Sequence, residues 1–125
     1  MKRIIKTGLP EFGRPTEHAV MAGGILYTAV VPLKSDGTFE TGEPKKQLEL
    51  TLSNLRQILE AAGGNMAHIT QALVFLTSAD HIPMLNEIWA KSIMAPYPNR
   101  AIVIVNAIGV KDVIVLIQVH AHIEK

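Results

Sequence analysis

The chain has 125 residues, a formal net charge of +1 and no cysteine. That length fits a single domain over residues 1–125, and near-neutrality argues against nucleic acid or an anionic membrane surface as a partner. The missing cysteine excludes disulfides and thiol chemistry, and 48% apolar against 18% charged residues describes a folded chain.

The N-terminus, Met1-Lys2-Arg3-Ile4-Ile5-Lys6, has no long apolar core and no small-residue cleavage site, so no secretory signal is expected. The longest apolar runs hold about seven to ten residues, against roughly 20 for a membrane helix. A soluble cytoplasmic protein is the expectation.

Residues 2–7 form a short strand candidate, and residues 8–19, with two Pro and two Gly, a loop. Residues 19–22 and 25–31 are strands joined at Gly23-Gly24, a hairpin signal because both residues tolerate positive φ. Pro32 ends the second strand, and Lys34-Ser35-Asp36-Gly37 is a turn.

Pro44 suits the first turn of a helix, where its missing N–H is no loss. Leu48, Leu52, Leu55, Leu59 and Ala62 then recur at helical spacing, and Gly63-Gly64 stops the run. Asn54 within this stripe reads as a packing residue. Residues 69–76 form a strand. Asp80 is placed to cap a second helix with Pro83 in its first turn and Leu85, Ile88, Trp89 and Ile93 on one face. Asn86 on this helix reads as polar surface and Trp89 as a core anchor. Pro96 and Pro98 forbid continuation.

Residues 101–107 and 113–123 are Val- and Ile-rich strands, and 108–112, with Gly109 and Asp112, reads as a hairpin connection between them. The order is β-β-β-α-β-α-β-β, an α+β fold with two helices on one face of a six-stranded sheet. The last strands are apolar at nearly every position, which normally means burial on both faces. A lone chain would leave one face in water, so an oligomer packed through the sheet is expected.

Few residues could carry chemistry. Arg100 follows a stiff Pro-x-Pro entry. It cannot be neutralised, and it can serve either a surface or interface ion pair or a two-pronged carboxylate anchor; the sequence leaves both open. Gln118, His120 and His122 alternate along the last strand and so share one face. A His-x-His pair can chelate a metal, but His18, Glu17, His68 and His81 are scattered and supply no third ligand at a recognisable spacing, so interface or core histidines are favoured and no metal is expected. Thr28 is either an ordinary strand threonine or a hydrogen-bond donor in a cleft. Phosphate-cradling glycine loops, Gly-x-Ser-x-Gly and nucleotide fingerprints are absent from the sequence.

Taken in order, these residues resemble the Rid family, also called YjgF-like or reactive intermediate deaminases. The resemblance rests on Pro15 before Ala19-Val20, Leu26-Tyr27-Thr28-Ala29 ending at Pro32, and Asp36-Gly37. It continues through Gln47, Leu52-x-Asn54-Leu55 and Leu59-x-x-Ala62-Gly63. Phe75-Leu76, Asn86-x-x-Trp89 and Tyr97-Pro98-x-Arg100 complete it.

The resemblance implies a chorismate-mutase-like fold and a homotrimer with clefts between subunits that hold small carboxylates. Deaminating members hydrolyse 2-imino or enamino acids to 2-keto acids and ammonia without metal or organic cofactor. Arg100 matches the arginine that grips the substrate carboxylate, and Thr28 the hydroxyl residue lining the cleft. Ile102 stands where a backbone carbonyl helps to hold the attacking water. Asn86 and Thr16 fall at substrate-binding positions.

The chain departs from the family pattern at three points. Gln118 stands where a Glu orients the water, and an amide can hold a water but cannot take its proton. Thr16 replaces the Tyr of many deaminating members, and Arg14 the Gly before Pro15. The connection after residue 107 looks longer than usual, which bears on the register of residues 113–123. The implied activity is deamination of a small imino or enamino acid. The alternatives are a non-catalytic trimeric binder of small carboxylates or keto acids, and a pathway-specific deaminase of the aminomuconate type.

Overall fold

The computed structural model describes residues 1–123. Six strands form one sheet: β1 (Arg3–Ile4), β2 (Ala19–Ala22), β3 (Ile25–Val30), β4 (Ile69–Leu76), β5 (Asn99–Ile104) and β6 (Val115–His122). Helix α1 (Pro44–Ala61) lies between β3 and β4, and α2 (Ile82–Ser92) between β4 and β5. The spatial order is β1-β2-β3-β6-β4-β5, all antiparallel except the β4–β5 pair. The α+β class, the element order and the two helices over one face are as the sequence predicts.

The hairpin expected between the last two strands is not there. β6 runs between β3 and β4, and β5 lies on the far side of β4 as the sheet edge. The 105–114 segment therefore crosses over one strand rather than turning back. Strands in a sheet are about 4.8 Å apart, so it must span roughly 10 Å. Position also explains the composition of β6. It is hydrogen-bonded on both sides, and Val115, Ile117, Val119 and Ala121 are fully buried.

The strand alternation divides the sheet into two unlike faces. Leu26, Val30, Ala72, Val74, Leu76 and the odd-numbered residues of β6 face the helices and are buried. They meet Leu48, Leu52, Leu55, Ile58 and Leu59 of α1 and Leu85, Ile88 and Trp89 of α2 in one core. The opposite face, with Tyr27, Ala29, Leu73, Ala101 and Gln118, has no second layer over it among the described residues.

Helix ends and turns follow local chemistry. Gly23 and Gly24 both have positive φ in the two-residue turn between β2 and β3. Helix α1 ends at Gly63 (φ 88°), whose N–H bonds Glu60 O while the Gly64 N–H bonds Leu59 O, closing the orphan carbonyls of the last turn. Asp36 takes the Thr38 N–H and hydroxyl, which hold its carboxyl below the usual range. Asp80 does not cap α2. The Ser78 hydroxyl accepts the Asp80 N–H and starts a 3-10 turn over Ala79–His81, which leads into the helix.

Polar residues of α1 tie loops to the core. Gln47 is wholly buried; its Nε2 donates to Asp112 O at 2.8 Å and its Oε1 accepts the Ile114 N–H at 2.8 Å. Asn54 Nδ2 donates to Val31 O and Leu33 O, and Gln57 Nε2 to Thr7 O. Gln47 thus fixes the crossing segment where it enters β6. In Gln47→Leu the Ile114 N–H and Asp112 carbonyl lose their partner, which is expected to destabilise the fold by about 2–4 kcal/mol. Equilibrium urea unfolding at matched protein concentration checks this; an unchanged midpoint would show that the clasp contributes nothing.

Candidate functional site

On the uncovered face, β1, β2, β3 and β6 curve beneath the 14–18 loop. Together they form an open cleft of about 590 Å³. Tyr27, Ala29, Gln118 and His120 make the floor, with Ile4 and Val20 to one side. The 14–18 loop forms a wall, and the ionised side chains around the cleft are Lys2, Arg14 and Glu17. A smaller hollow, lined by Gln71, Leu73 and Ala101, continues toward the sheet edge. Gln118 and His120 border both.

Of the residues singled out in the sequence, this cleft brings together Thr16, Gln118 and His120, with Thr28, whose side chain belongs to the helix-facing row, at its margin. Thr28 is buried, and its hydroxyl donates to His18 O at 2.6 Å. Its proton is therefore committed to holding the loop wall, and only its oxygen lone pairs remain. His18 fixes the same loop from the other side, with Nε2 at 2.6 Å from Pro10 O and its ring against Phe12. Gln118 is exposed and points out of the sheet, as the alternation along β6 predicts.

Arg100, Asn86 and Ile102 stand elsewhere. Arg100 is in register with Ala72, which pairs with Val119, which pairs with Thr28. That row faces the helices, whereas Gln118 belongs to the row of Leu73 and Ala101 on the other face. A single chain therefore presents Arg100 and Gln118 on opposite sides of the sheet, with β4 between their strands. Arg100 lies over the edge of α2. Its Nη2 donates to Asn86 Oδ1 at 2.8 Å, and its guanidinium carbon sits 5.0 Å from the centroid of the Trp89 ring. Both partners are neutral, so they orient the guanidinium without cancelling its charge, and the remaining N–H donors can grip an anion. Asn86, read from the sequence as polar surface, is thus the residue that aims Arg100. Its spacing of three from Trp89 on one helix face was the signal available.

Ile102 packs its side chain on the core. Its backbone is more informative. Val105 N–H bonds Leu76 O, and in a parallel ladder alternate residues turn both polar groups to the same neighbour. Residues 103 and 105 thus engage β4, while Arg100, Ile102 and Ile104 direct N–H and C=O to the free edge. That edge carries exposed apolar side chains, Val103 at 39% and Ile104 at 46%, with Tyr97 at 70% just before it.

Among the described residues no group of three His, Asp or Glu side chains could hold a metal ion. No helix is long and apolar enough to cross a membrane. Sequence reasoning missed the cleft lining contributed by Lys2, Glu17, His18 and Tyr27. Lys2 opens the short strand candidate at residues 2–7 and Glu17 and His18 lie in the loop after it, and they converge on the cleft only through strand pairing.

Comparison with known proteins places this geometry in context. A RutC family protein of Pyrococcus horikoshii is 31% identical over 127 residues, covering 99% of this chain and 100% of the relative. The 2-iminobutanoate/2-iminopropanoate deaminase of Dermatophagoides farinae is 27% identical over 105 residues, 82% of each chain. The crystal structure of RidA from an Antarctic Psychrobacter superposes with a TM-score of 0.88 at 28% identity, covering 97% of this chain and 99% of that one. The family described as Endoribonuclease L-PSP matches residues 12–123. The chain belongs to that family, the YjgF-like or Rid group that its ordered motifs resemble.

Proposed function

We propose that the protein hydrolyses small 2-imino or enamino acids to 2-keto acids and ammonia, in clefts completed by a second copy of the chain. The observation that carries this reading is the setting of Arg100: a guanidinium aimed by Asn86 and Trp89 at the edge strand, with no carboxylate paired to it among the described residues. Such an edge cannot act on a molecule in its own chain's cleft. It can act on one held in a neighbour's, where Thr16, Thr28 and Gln118 line the wall and floor. The uncovered sheet face and the exposed Val103 and Ile104 supply apolar surface for such packing, and a closed homotrimer would bury it.

In this reading Arg100 fixes the substrate carboxylate and draws electron density from the imine carbon. Gln118 of one subunit and the edge-directed Ile102 carbonyl of another hold the attacking water. An imine is already electrophilic, so positioning supplies much of the acceleration. Water adds to the carbon, the tetrahedral carbinolamine forms, and its collapse to the keto acid releases ammonia. No step calls for a metal or an organic cofactor. The deaminase named among the relatives supports the chemistry.

A non-catalytic binder of small carboxylates is the second reading, favoured by Gln118, which cannot serve as a base, and by Thr16. RNA cleavage, to which the family's description refers, is disfavoured by a net charge of +1, since phosphate-backbone binding depends on clustered cations.

Two measurements test the proposal. Ammonia release from freshly generated iminopyruvate, corrected for spontaneous hydrolysis, should be accelerated by the protein and fall by about a hundredfold or more in Arg100→Ala, which loses a charge-assisted anchor. No acceleration, together with ligand-dependent thermal stabilisation by keto acids, would establish the binder instead. For the shared cleft, Arg100→Ala is mixed with Ala29→Trp, which fills the floor, and the two are refolded together. If each cleft joins two chains, the mixture should regain roughly a quarter of wild-type activity, the statistical share of clefts with both halves intact. A mixture as inactive as either variant alone would place the whole site within one chain.

A further inference from the structure

Hydrolysis of an imine moves two protons, and the residue at the water-orienting position cannot accept either. Gln118 is an amide, so a proton acceptor must stand nearby if the cleft does more than position the water. We propose that His120 is that group: a catalytic proton carrier for the reaction proposed above, on which this inference rests.

The placement is set by the strand. His120 lies two residues beyond Gln118 on β6, so both side chains project from the same face, with Cα atoms roughly 7 Å apart. Gln118 and His120 together border the main cleft and the smaller hollow beside it. A water held by the Gln118 amide on this ridge lies within reach of an imidazole at position 120.

The local structure fixes that imidazole in place and leaves its nitrogens available. The ring packs edge-on against Tyr27, its cross-strand neighbour, with centroids 5.1 Å apart and planes at 71°. The β4–β6 ladder is irregular opposite His120: the register shifts between Ile69 and Gln71, and the intervening Thr70 donates its hydroxyl to His120 O at 3.0 Å. Bulges of this kind re-aim side chains next to functional sites. Among the described residues no hydrogen bond engages the His120 ring nitrogens.

The other titratable groups on this cleft are less suited. Tyr27 supplies a phenol, a weaker proton acceptor than an imidazole. Lys2 and Arg14 are cations, and His18 has Nε2 on Pro10 O. Glu17 belongs to the loop wall, not to the strand that carries Gln118. Imidazole is the side chain that both takes and returns a proton near neutrality.

The proton balance is simple. As the water oxygen bonds to the imine carbon, His120 takes one water proton and the C=N electron pair passes to nitrogen. The imidazolium then gives its proton to the carbinolamine nitrogen. Imidazole next takes the carbinolamine O–H proton and delivers it to the amine nitrogen as C=O forms and C–N breaks, so both water protons end on the departing ammonia and imidazole is restored. No oxidant or co-reactant is required.

The test is the pH profile of ammonia release from iminopyruvate, from pH roughly 5 to 9, for wild type, His120→Gln, His120→Phe and the double variant Gln118→Glu/His120→Gln. His120→Phe keeps an aromatic ring on Tyr27, and thermal melting reports on folding. Both single variants should lose roughly a hundredfold in rate near neutrality and lose the pH-dependent limb that the wild type shows. The double variant should regain activity, with its limb moved to the carboxylate range. An unchanged rate, or a lower rate with the wild-type profile, would overturn the role of His120 while leaving the deaminase intact. A wild-type protein without acceleration would instead overturn the deaminase reading, and this inference with it.

Discussion

The candidate site depends on one constraint: among the described residues the sheet is covered on one face only. The two helices occupy the face carrying Leu26, Val74, Ile117 and Val119, and what remains is a concave surface floored by Tyr27, Ala29, Gln118 and His120. Side-chain alternation makes this division absolute, because moving a strand by one residue would exchange its core for its cleft. Register is therefore the variable that structure and chemistry share. In β6 it buries Val115, Ile117, Val119 and Ala121 and by the same act presents Gln118, His120 and His122.

That register is held by polar side chains from the helix layer. Gln47, Asn54 and Gln57 all lie on α1, and each reaches a backbone group in a different connecting segment. Gln47 is wholly buried with both amide ends bonded and so is costly to misplace, while Asn54 and Gln57 each donate through the amide nitrogen to a loop carbonyl. Gln47 bonds the two residues that flank Val113, just before β6 begins, at Asp112 O and the Ile114 N–H. The strand carrying the candidate water-binding amide is thus indexed to the helix that builds the core.

The same constraint separates Arg100, the proposed carboxylate anchor, from the cleft. Arg100 is on the helix side of the edge strand, oriented by neutral partners, while the cleft is on the other side. In the proposed function these are two half-sites that face different ways. Within the proposed assembly, this makes oligomerisation part of the chemistry: the free edge that would otherwise invite indiscriminate pairing meets a cleft in a neighbour.

The sequence by itself determined the element types, their order and the two-faced sheet, because periodicity, prolines and paired glycines act locally. The Leu stripe of α1, the Gly23-Gly24 turn and the Gly63 stop all appear where the pattern places them. It also determined that Gln118, His120 and His122 share a face. Only the tertiary structure decided the neighbours. Val- and Ile-rich strands with a glycine-bearing connection read as a hairpin, yet β4 lies between β5 and β6, since pairing is chosen by the whole sheet and not by the loop. Ser78 rather than Asp80 opens the turn before α2, because Ser78 has the extended backbone of an N-cap (φ −153°, ψ 140°) and its hydroxyl accepts the Asp80 N–H. The Thr28 hydroxyl is taken by His18 O, and Arg100 and Gln118, both legible as candidates, lie on opposite faces. Side-chain identity is local, but which groups meet is fixed by long-range pairing, and that information is spread over the whole chain.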